Sequence, residues 1–289
     1  MLDPETYRGT NVKNTRVCLL DSGTIALPDY KLFWGRGNGE LIRFAAYCVL
    51  VDHADGLFLF DTGYDKSMMD VWTPQDNAIS TEEQQVLPQL AKLGIKPTDV
   101  DCIINSHFHI DHVGGNKHFP GATVVVNKKE YDQAVDPMPF EYQSYSDLSF
   151  DPELHKLNFQ GKRDILRRAG MPEEVNCPVE KSPTYKFLDG DTEILKGVYL
   201  YDVPGHSAGQ MAMIIELAGR KPMFFPADAC HLPRHLEDMI VPGFHVDPVA
   251  GYRSLERVRA LRDQHDAEIF WGHPPGDSLV YKHAPEWYA

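Results

Sequence analysis

The stretch His107-Phe108-His109-Ile110-Asp111-His112 places four metal-binding side chains within six residues. It follows the short apolar run Cys102-Ile103-Ile104, which predicts a strand that opens into a loop. In extended backbone His107 and His109 point to the same side, and Asp111 and His112 can approach that space after the turn. Imidazole and carboxylate groups are ligands that zinc and similar divalent metals prefer. The hexapeptide therefore predicts a divalent metal site at a strand end.

Three later segments each place a further ligand just past a predicted strand. These ligands are His206 in the tight loop Pro204-Gly205-His206-Ser207-Ala208-Gly209, Asp228 after the apolar run Met223-Phe224-Phe225, and His273 after Ala267–Trp271. If these strand ends meet at one edge, seven ligands converge, which is enough for two metals. Three histidines with a shared carboxylate would hold one metal, and Asp111, His112 and His273 with that carboxylate would hold the other.

The overall charge excludes one class of partner. The 289 residues include 28 Lys+Arg and 42 Asp+Glu, which gives a net charge of −14. A nucleic-acid footprint is normally basic, so we expect no nucleic-acid partner. With 43% hydrophobic residues the chain has an ordinary globular composition and can bury a sizeable core. Because no low-complexity linker divides it, residues 1–289 are predicted to form a single domain.

The cysteines and the N-terminus indicate a compartment. The five cysteines are odd in number, scattered, and mostly in apolar surroundings, which is typical of buried free thiols in a reducing compartment. The N-terminal Met1-Leu2-Asp3-Pro4-Glu5 lacks a basic region followed by an apolar core, so no signal peptide is expected. No apolar run approaches the length of a membrane span. We therefore expect a cytoplasmic enzyme with no membrane partner.

Hydrophobic periodicity predicts an α/β fold in two strand-rich halves. The predicted strands are 16–21, 45–51, 57–60, 100–105, 122–126, 198–203, 211–217, 223–226 and 267–271, with a hairpin from 25–27 and 30–33. The predicted helices are 82–93, 128–135, 161–169 and 248–265. This order predicts two packed sheets with helices outside. Residues 137–160 are rich in aromatics and lack a clean period, which predicts a partly helical insertion over one end of the sheet.

In these motifs the chain resembles the metallo-β-lactamase superfamily, whose pattern is HxHxDH followed by a His, an Asp and a His. Asp61-Thr62-Gly63 matches the early Asp-Thr-Gly turn of that family. The resemblance implies an αββα four-layer sandwich holding two divalent metal ions, with zinc expected, and a metal-bound hydroxide as the nucleophile. Asp61 is interpreted as the partner of the outer N–H of a metal-bound imidazole, the alternative being a turn residue.

Within the superfamily the chain resembles the lactonases. Four segments carry this likeness: Phe33-Trp34-Gly35-Arg36-Gly37, Asn105-Ser106-His107-Phe108-His109, Tyr145-Ser146-Asp147-Leu148-Ser149-Phe150 and Phe244-His245-Val246-Asp247-Pro248-Val249-Ala250-Gly251. The likeness implies a hydrolase that opens a small-molecule lactone. A ring-fused heteroaromatic lactone such as 4-pyridoxolactone is the first expectation. The alternative is an N-acyl homoserine lactone, or another ester or amide hydrolysed on the same fold.

One position departs from the lactonase pattern. Lactonases of this branch usually carry a Tyr three residues after the bridging Asp, where this chain has His231. A histidine can donate a hydrogen bond to an oxyanion, protonate a leaving group or contact a metal. The expected catalytic residues are therefore His231 at the oxyanion, with Asp111 or Asp228 passing a proton to the leaving ring oxygen.

Aromatic residues and one cation are candidates for contacts with the substrate. Trp34, Arg36, Phe140, Tyr142 and Tyr145 could form a flat wall with a cation at its rim, which would suit a planar ring. The alternative for each aromatic residue is packing in the core or in a lid.

A redox metal protein is the alternative from another functional class. Superfamily members that bind iron typically carry an acidic residue where this chain has His109, together with a flavin domain, so this alternative is disfavoured. The sequence leaves open which lactone is the substrate, which metal is loaded, and the oligomeric state, a homo-oligomer included.

Overall fold

Two β-sheets pack face to face in the computed structural model, which describes residues 15–157 and 177–289. The first sheet has the order β1-β2-β3-β4-β5-β6, with strands Arg16–Pro28, Leu41–His53, Gly56–Phe60, Cys102–Ile104, Thr123–Asn127 and Thr184–Leu188. The second has the order β11-β10-β9-β8-β7, with β7 to β11 being Thr192–Leu195, Val198–Asp202, Met211–Ile215, Met223–Phe225 and Glu268–Ile269. Strands β3 to β6 are parallel to one another, whereas β1, β2 and β3 pair antiparallel.

The strands of the first sheet are apolar on both faces because both faces are covered. In β1, Val17 and Leu19 pack into the core between the two sheets, while Cys18 and Leu20 pack into a separate core on the outer side. Successive side chains of a strand point to opposite faces, so a strand covered on both sides appears as a continuous apolar run. This explains why the predicted strands lack polar alternation.

Helices cover the outer faces of both sheets. The α-helices α1 to α7 are Asp29–Leu32, Lys66–Trp72, Val86–Lys92, Ile110–Val113, Lys128–Val135, Pro233–Glu237 and Pro248–His265. Helix α3 packs on the first sheet through Val86 and Leu90, and α7 packs on the second through Leu255 and Val258. The expected αββα four-layer sandwich is confirmed.

The helices α5 and α7 have the predicted bounds because side chains cap their first turns. Asn127 accepts a hydrogen bond from Lys129 N, and Asp247 accepts from Val249 N and Ala250 N, with Pro248 at the first helical position. These are local signals that a sequence displays directly.

Two predicted elements differ from the structure. Residues 25–27 extend β1 past a bulge near Gly23 and keep pairing with β2, and residues 29–32 form α1, so the predicted hairpin is wrong. The predicted helix 82–93 is divided into a short 3₁₀ helix, Glu82–Gln84, and α3, because Gln85 is extended. The predicted helix 161–169 lies outside the described residues.

The described part of the predicted insertion packs against one end of the first sheet. Tyr145, Leu148 and Phe150 are buried with Phe108 and with Val124 of β5. The aromatic segment therefore lies directly beside the histidine loop.

The state of the cysteines and the length of the helices can be compared with what the sequence predicts. All five cysteines are free, and Cys18, Cys48, Cys102 and Cys230 are buried. None of the helices in residues 15–157 and 177–289 has the length and apolar character needed to cross a membrane.

Candidate metal centre

The seven predicted ligands converge at one edge of the sandwich. The loop after β4 carries His107 and His109 and leads into α4, which carries Asp111 and His112. His206 follows β8, Asp228 follows β10 and His273 follows β11. A backbone hydrogen bond of 2.9 Å from Met211 N to Ser106 O joins the two sheets at this edge. The site is therefore built jointly by both sheets.

The His206 loop requires a glycine. Gly205 has a φ of 132°, and a Cβ added there would lie 2.3 Å from the Cα of Gly251 in α7. Only a residue without a side chain allows the loop to pass this close to the helix. This close approach helps to aim His206 into the centre.

Three imidazoles form the first cluster. His206 Nε2 lies 2.8 Å from His109 Nδ1, and the ring of His107 lies 4.5 Å from that of His109 between centroids. Burial is the main cause that holds the pKa of His107 and His109 well below 6.5, and it lowers the pKa of His206 to about 4. The imidazoles are therefore neutral at pH 7, which is the form that binds a metal.

The second cluster adds carboxylates. His273 Nε2 lies 3.5 Å from Asp111 Oδ2, and His112 Nε2 lies 3.7 Å from the same oxygen. Burial opposes protonation of both imidazoles, but the nearby Asp228 and Asp111 carboxylates raise the pKa of His112 and His273 above 6.5. A divalent ion would take the place of these protons.

Asp228 faces both clusters at once. Its Oδ1 lies 3.1 Å from His112 Nε2 and 3.3 Å from His273 Nε2, while its Oδ2 lies 3.4 Å from His206 Nε2. Burial opposes ionisation, but His112 and His273 hold the pKa of this carboxyl well below its usual range. Asp228 is thus an ionised carboxylate with one oxygen directed to each cluster.

The unpaired atoms at this edge fit divalent metal ions. His107 Nε2 is buried and has no hydrogen-bond partner among the described residues, and the buried His112 Nε2 and Asp228 Oδ1 have only their ion-pair contacts, with 3.1 Å between them. Buried polar atoms are normally paired, because leaving them unpaired is costly. The ligand atoms within each cluster lie within 4.8 Å of one another, and their nitrogen and carboxylate chemistry suits zinc. The residues present are therefore those of a divalent metal centre.

Hydrogen bonds to the outer ring nitrogens fix the orientation of the ligands. His112 Nδ1 donates to Asp61 Oδ2 at 2.8 Å, and the Asp61 carboxylate also accepts from Ser106 N and Ser106 Oγ. His206 Nδ1 and His273 Nδ1 donate to the backbone carbonyls of Phe244 and Ala45. Asp61 therefore lies against the His112 imidazole, which is the position that the sequence predicts for it. Its backbone has a left-handed φ of 59° there.

Glu130 of α5 links the two ligand loops, and the sequence did not reveal it as a site residue. Its Oε1 accepts from Phe108 N and from the Tyr145 hydroxyl, each at 2.9 Å, and its Oε2 accepts from Gly209 N at 3.2 Å. Glu130 is fully buried, and it lies one turn from the buried Ala134. The sequence signal that could have identified Glu130 is an acidic residue on the apolar face of an amphipathic helix.

His231 lies against the bridging carboxylate. Its Nε2 is 3.0 Å from Asp228 Oδ2, and its Nδ1 has no hydrogen-bond partner in the described part of the chain. The ring packs edge-on against His273, with 5.2 Å between centroids. His231 therefore belongs to the centre by position, beside the cluster of His206 and Asp228.

A cavity opens onto the ligands, and its walls carry aliphatic residues together with two phenylalanines and several polar side chains. His109, Asp111, His206, Asp228, His231 and His273 line its inner end. Its walls include Leu27, Leu32, Phe44, Met69 and Ile110. The cavity thus offers an apolar surface beside the reactive edge.

The predicted aromatic wall does not line this cavity. Tyr145 is fully buried, because its hydroxyl is committed to Glu130. Trp34 is 52% exposed and packs against His245, Arg36 is exposed, and Tyr142 is half-buried outside the lining. Phe140 lines a neighbouring groove together with His109 and His206. The sequence did not determine which way these side chains face.

Comparison with known proteins finds one matching family and several related lactonases. Residues 41–273 match the Metallo-beta-lactamase superfamily. The N-acyl homoserine lactonase AttM of Rhizobium radiobacter is 28% identical over 286 residues, which cover 95% of this chain and 98% of the relative. The N-acyl homoserine lactonase AiiA of Bacillus thuringiensis subsp. kurstaki is 28% identical over 243 residues, covering 81% and 83%.

A solved structure shows the same fold. The crystal structure of a quorum-quenching N-acyl homoserine lactone lactonase superposes with a TM-score of 0.75 at 23% sequence identity, covering 96% of this chain and 99% of the other.

Replacing Glu130 by Gln should weaken metal binding, because an amide NH₂ would face the Gly209 N–H and loosen the two ligand loops. We expect a loss of roughly 10- to 100-fold in zinc affinity, as is typical when a group supporting the ligands is removed. Competition with a chromophoric chelator measures this affinity. Asp132→Asn, on the exposed side of the same helix, is the matched control and should bind zinc like the wild type. Unchanged affinity in Glu130→Gln would contradict the assigned role.

Proposed function

Since the chain belongs to the metallo-β-lactamase superfamily and is a metal-dependent hydrolase of its lactonase branch, we propose that it opens the lactone ring of N-acyl homoserine lactones. One observation carries the proposal: seven candidate ligands, with Asp228 between the two clusters, lie at the inner end of a cavity whose walls include the aliphatic residues Leu27, Leu32 and Met69. The relatives that match nearly the whole chain are N-acyl homoserine lactonases.

The alternative substrate is now preferred over the first expectation. A planar ring-fused lactone was expected from the lactonase-like segments, and an aromatic wall that includes Tyr145 would have suited it, but Tyr145 is fully buried and does not line the cavity. The aliphatic residues Leu27, Leu32 and Met69 take that place, and they suit a flexible acyl chain.

The residues assign two positions to metal ions. His107, His109 and His206 would hold one ion, Asp111, His112 and His273 would hold the other, and Asp228 would be shared. We propose zinc, because nitrogen and carboxylate ligands in this number suit it. When bound, two such ions lower the pKa of a water molecule towards about 7 and polarise a carbonyl oxygen.

The protein side chains supply the remaining steps. We propose that the His231 Nε2–H exchanges its 3.0 Å contact with Asp228 Oδ2 for a hydrogen bond to the oxygen that becomes negative as the lactone carbonyl is attacked. Asp111 lines the cavity with 19% of its side chain exposed, so its carboxylate can take up the proton that the attacking water loses and pass it to the ring oxygen as the bond from that oxygen to the carbonyl carbon breaks. The aliphatic walls exclude water from the bound acyl chain.

The choice of substrate is tested by direct comparison. With zinc-loaded protein, kcat/KM for N-hexanoyl-homoserine lactone should exceed that for 4-pyridoxolactone at least about tenfold, since the cavity wall is aliphatic. Ring opening is followed by proton release at pH 7.5. Asp228→Ala should be inactive on both compounds. The reverse preference would restore the heteroaromatic lactone, and turnover of neither would refute the proposed function.

Replacing His231 by Phe tests its role at the oxyanion. Loss of one such donor typically lowers kcat by about 10²–10³-fold with little change in KM. His231→Tyr should restore much of the rate, because a phenol hydroxyl is also a donor. Zinc content of both variants should equal that of the wild type. A Phe variant that loses zinc would instead make His231 a metal ligand, and one with normal kcat would leave it without a catalytic role.

A further inference from the structure

Two residues of opposite charge line the cavity without belonging to either ligand cluster. Lys31 is on α1, and Asp76 ends the short 3₁₀ helix Pro74–Asp76. Lys31 Nζ and Asp76 Oδ1 are 3.9 Å apart, which is too far for a hydrogen bond. Their side chains are 30% and 14% exposed, so both are largely shielded from solvent.

One oxygen of the Asp76 carboxylate lacks a hydrogen-bond donor. Its Oδ1 is buried and has no hydrogen-bond partner among residues 15–157 and 177–289. Burial raises the pKa of this carboxyl to about 6, Lys31 opposes the rise, Asp111 adds to it, and a hydrogen bond from the Thr73 side chain to the carboxyl lowers it. The Lys31 ammonium lies 5.3 Å from the ring centre of Phe244, another cavity residue. A donor and an acceptor therefore stand side by side with a gap between them.

The size of the gap selects one kind of group. A single oxygen about 2.8 Å from each atom spans 3.9 Å at an angle of about 90°, and it can accept from Lys31 while donating to Asp76. A hydroxyl does both. A carboxylate would be repelled by Asp76, an ammonium would be repelled by Lys31, and a ketone oxygen would leave Asp76 Oδ1 unpaired. A water molecule meets the same demand until a hydroxyl displaces it.

The surroundings place this pair beside the aliphatic wall. Lys31 precedes Leu32 on α1, and Leu32 packs with Leu27 and with Met69 of α2 in one apolar cluster. All of these residues line the same cavity. A flexible chain lying on this wall would bring a substituent within reach of the charged pair.

We propose that Lys31 and Asp76 form a binding subsite for a hydroxyl group on the acyl chain of the lactone, so that the enzyme prefers hydroxylated substrates. The inference rests on the proposed function, because it takes an acyl homoserine lactone as the substrate. It adds a determinant of specificity outside the metal centre.

Three lactones of equal chain length test the subsite: N-(3-hydroxyhexanoyl)-, N-(3-oxohexanoyl)- and N-hexanoyl-homoserine lactone. In the wild type, kcat/KM for the 3-hydroxy compound should exceed that for the unsubstituted compound about tenfold or more, as expected for a hydrogen bond to charged groups. The 3-oxo compound should fall between them, because it satisfies Lys31 alone. Lys31→Met and Asp76→Ala should each bring the ratio close to one.

Control variants separate the subsite from general charge effects. Lys221 and Asp266 form an ion pair away from the cavity, so Lys221→Met and Asp266→Asn should retain the wild-type ratio. A wild-type ratio of one, or a ratio that persists in both subsite variants, would overturn the inference. If Asp76→Ala does not fold, as judged by its thermal unfolding, the ratio in Lys31→Met decides.

A binding measurement keeps the inference independent of turnover. Lactam analogues of the 3-hydroxy and unsubstituted compounds resist ring opening, and calorimetric titration gives their dissociation constants. The 3-hydroxy lactam should bind about tenfold more tightly to the wild type and equally to Lys31→Met. If no homoserine lactone is hydrolysed, the proposed function fails. The ratio of the two lactam dissociation constants then supports or refutes the hydroxyl subsite by itself.

Discussion

The buried carboxylate of Asp228 imposes the constraint on which the rest of the site depends. An ionised carboxylate in the protein interior is costly unless positive charge or donors face it. Here one oxygen faces His112 and His273, and the other faces His206 and His231. Every loop at this edge must therefore deliver its imidazole to within a few ångströms of one residue.

The requirement that imidazoles surround Asp228 links the two sheets. The ligands that face Asp228 come from both sheets, and their outer nitrogens are held by groups elsewhere in the sandwich. His273 follows the second sheet but donates to Ala45 of β2, and Met211 of β9 donates to Ser106 beside the histidine loop. Asp61, at the end of β3, holds His112. The metal centre and the packing of the sheets are thus one network.

The cavity has two parts, an inner end that carries the candidate metal ligands and walls that would contact the rest of a substrate. The inner end consists of candidate metal ligands together with His231. Much of the wall comes from β1, α1, α2 and the segment after it, where Leu27, Leu32 and Met69 line the cavity together with Lys31 and Asp76. We therefore propose that substrate preference depends on these walls, because a metal centre would treat any lactone carbonyl alike.

Sequence patterns predict the candidate ligand set, the αββα fold, the bounds of α5 and α7, and Asp61 as a candidate partner for an imidazole. These features are encoded locally, in the spacing of ligands after strands and in the caps Asn127 and Asp247. Long-range packing is what directs Tyr145 to Glu130, joins the two histidine-bearing loops through Glu130, and places Lys31 Nζ 3.9 Å from Asp76 Oδ1. The physical reason is that periodicity specifies which residues are buried, whereas the partner of a buried polar group comes from a distant segment through packing.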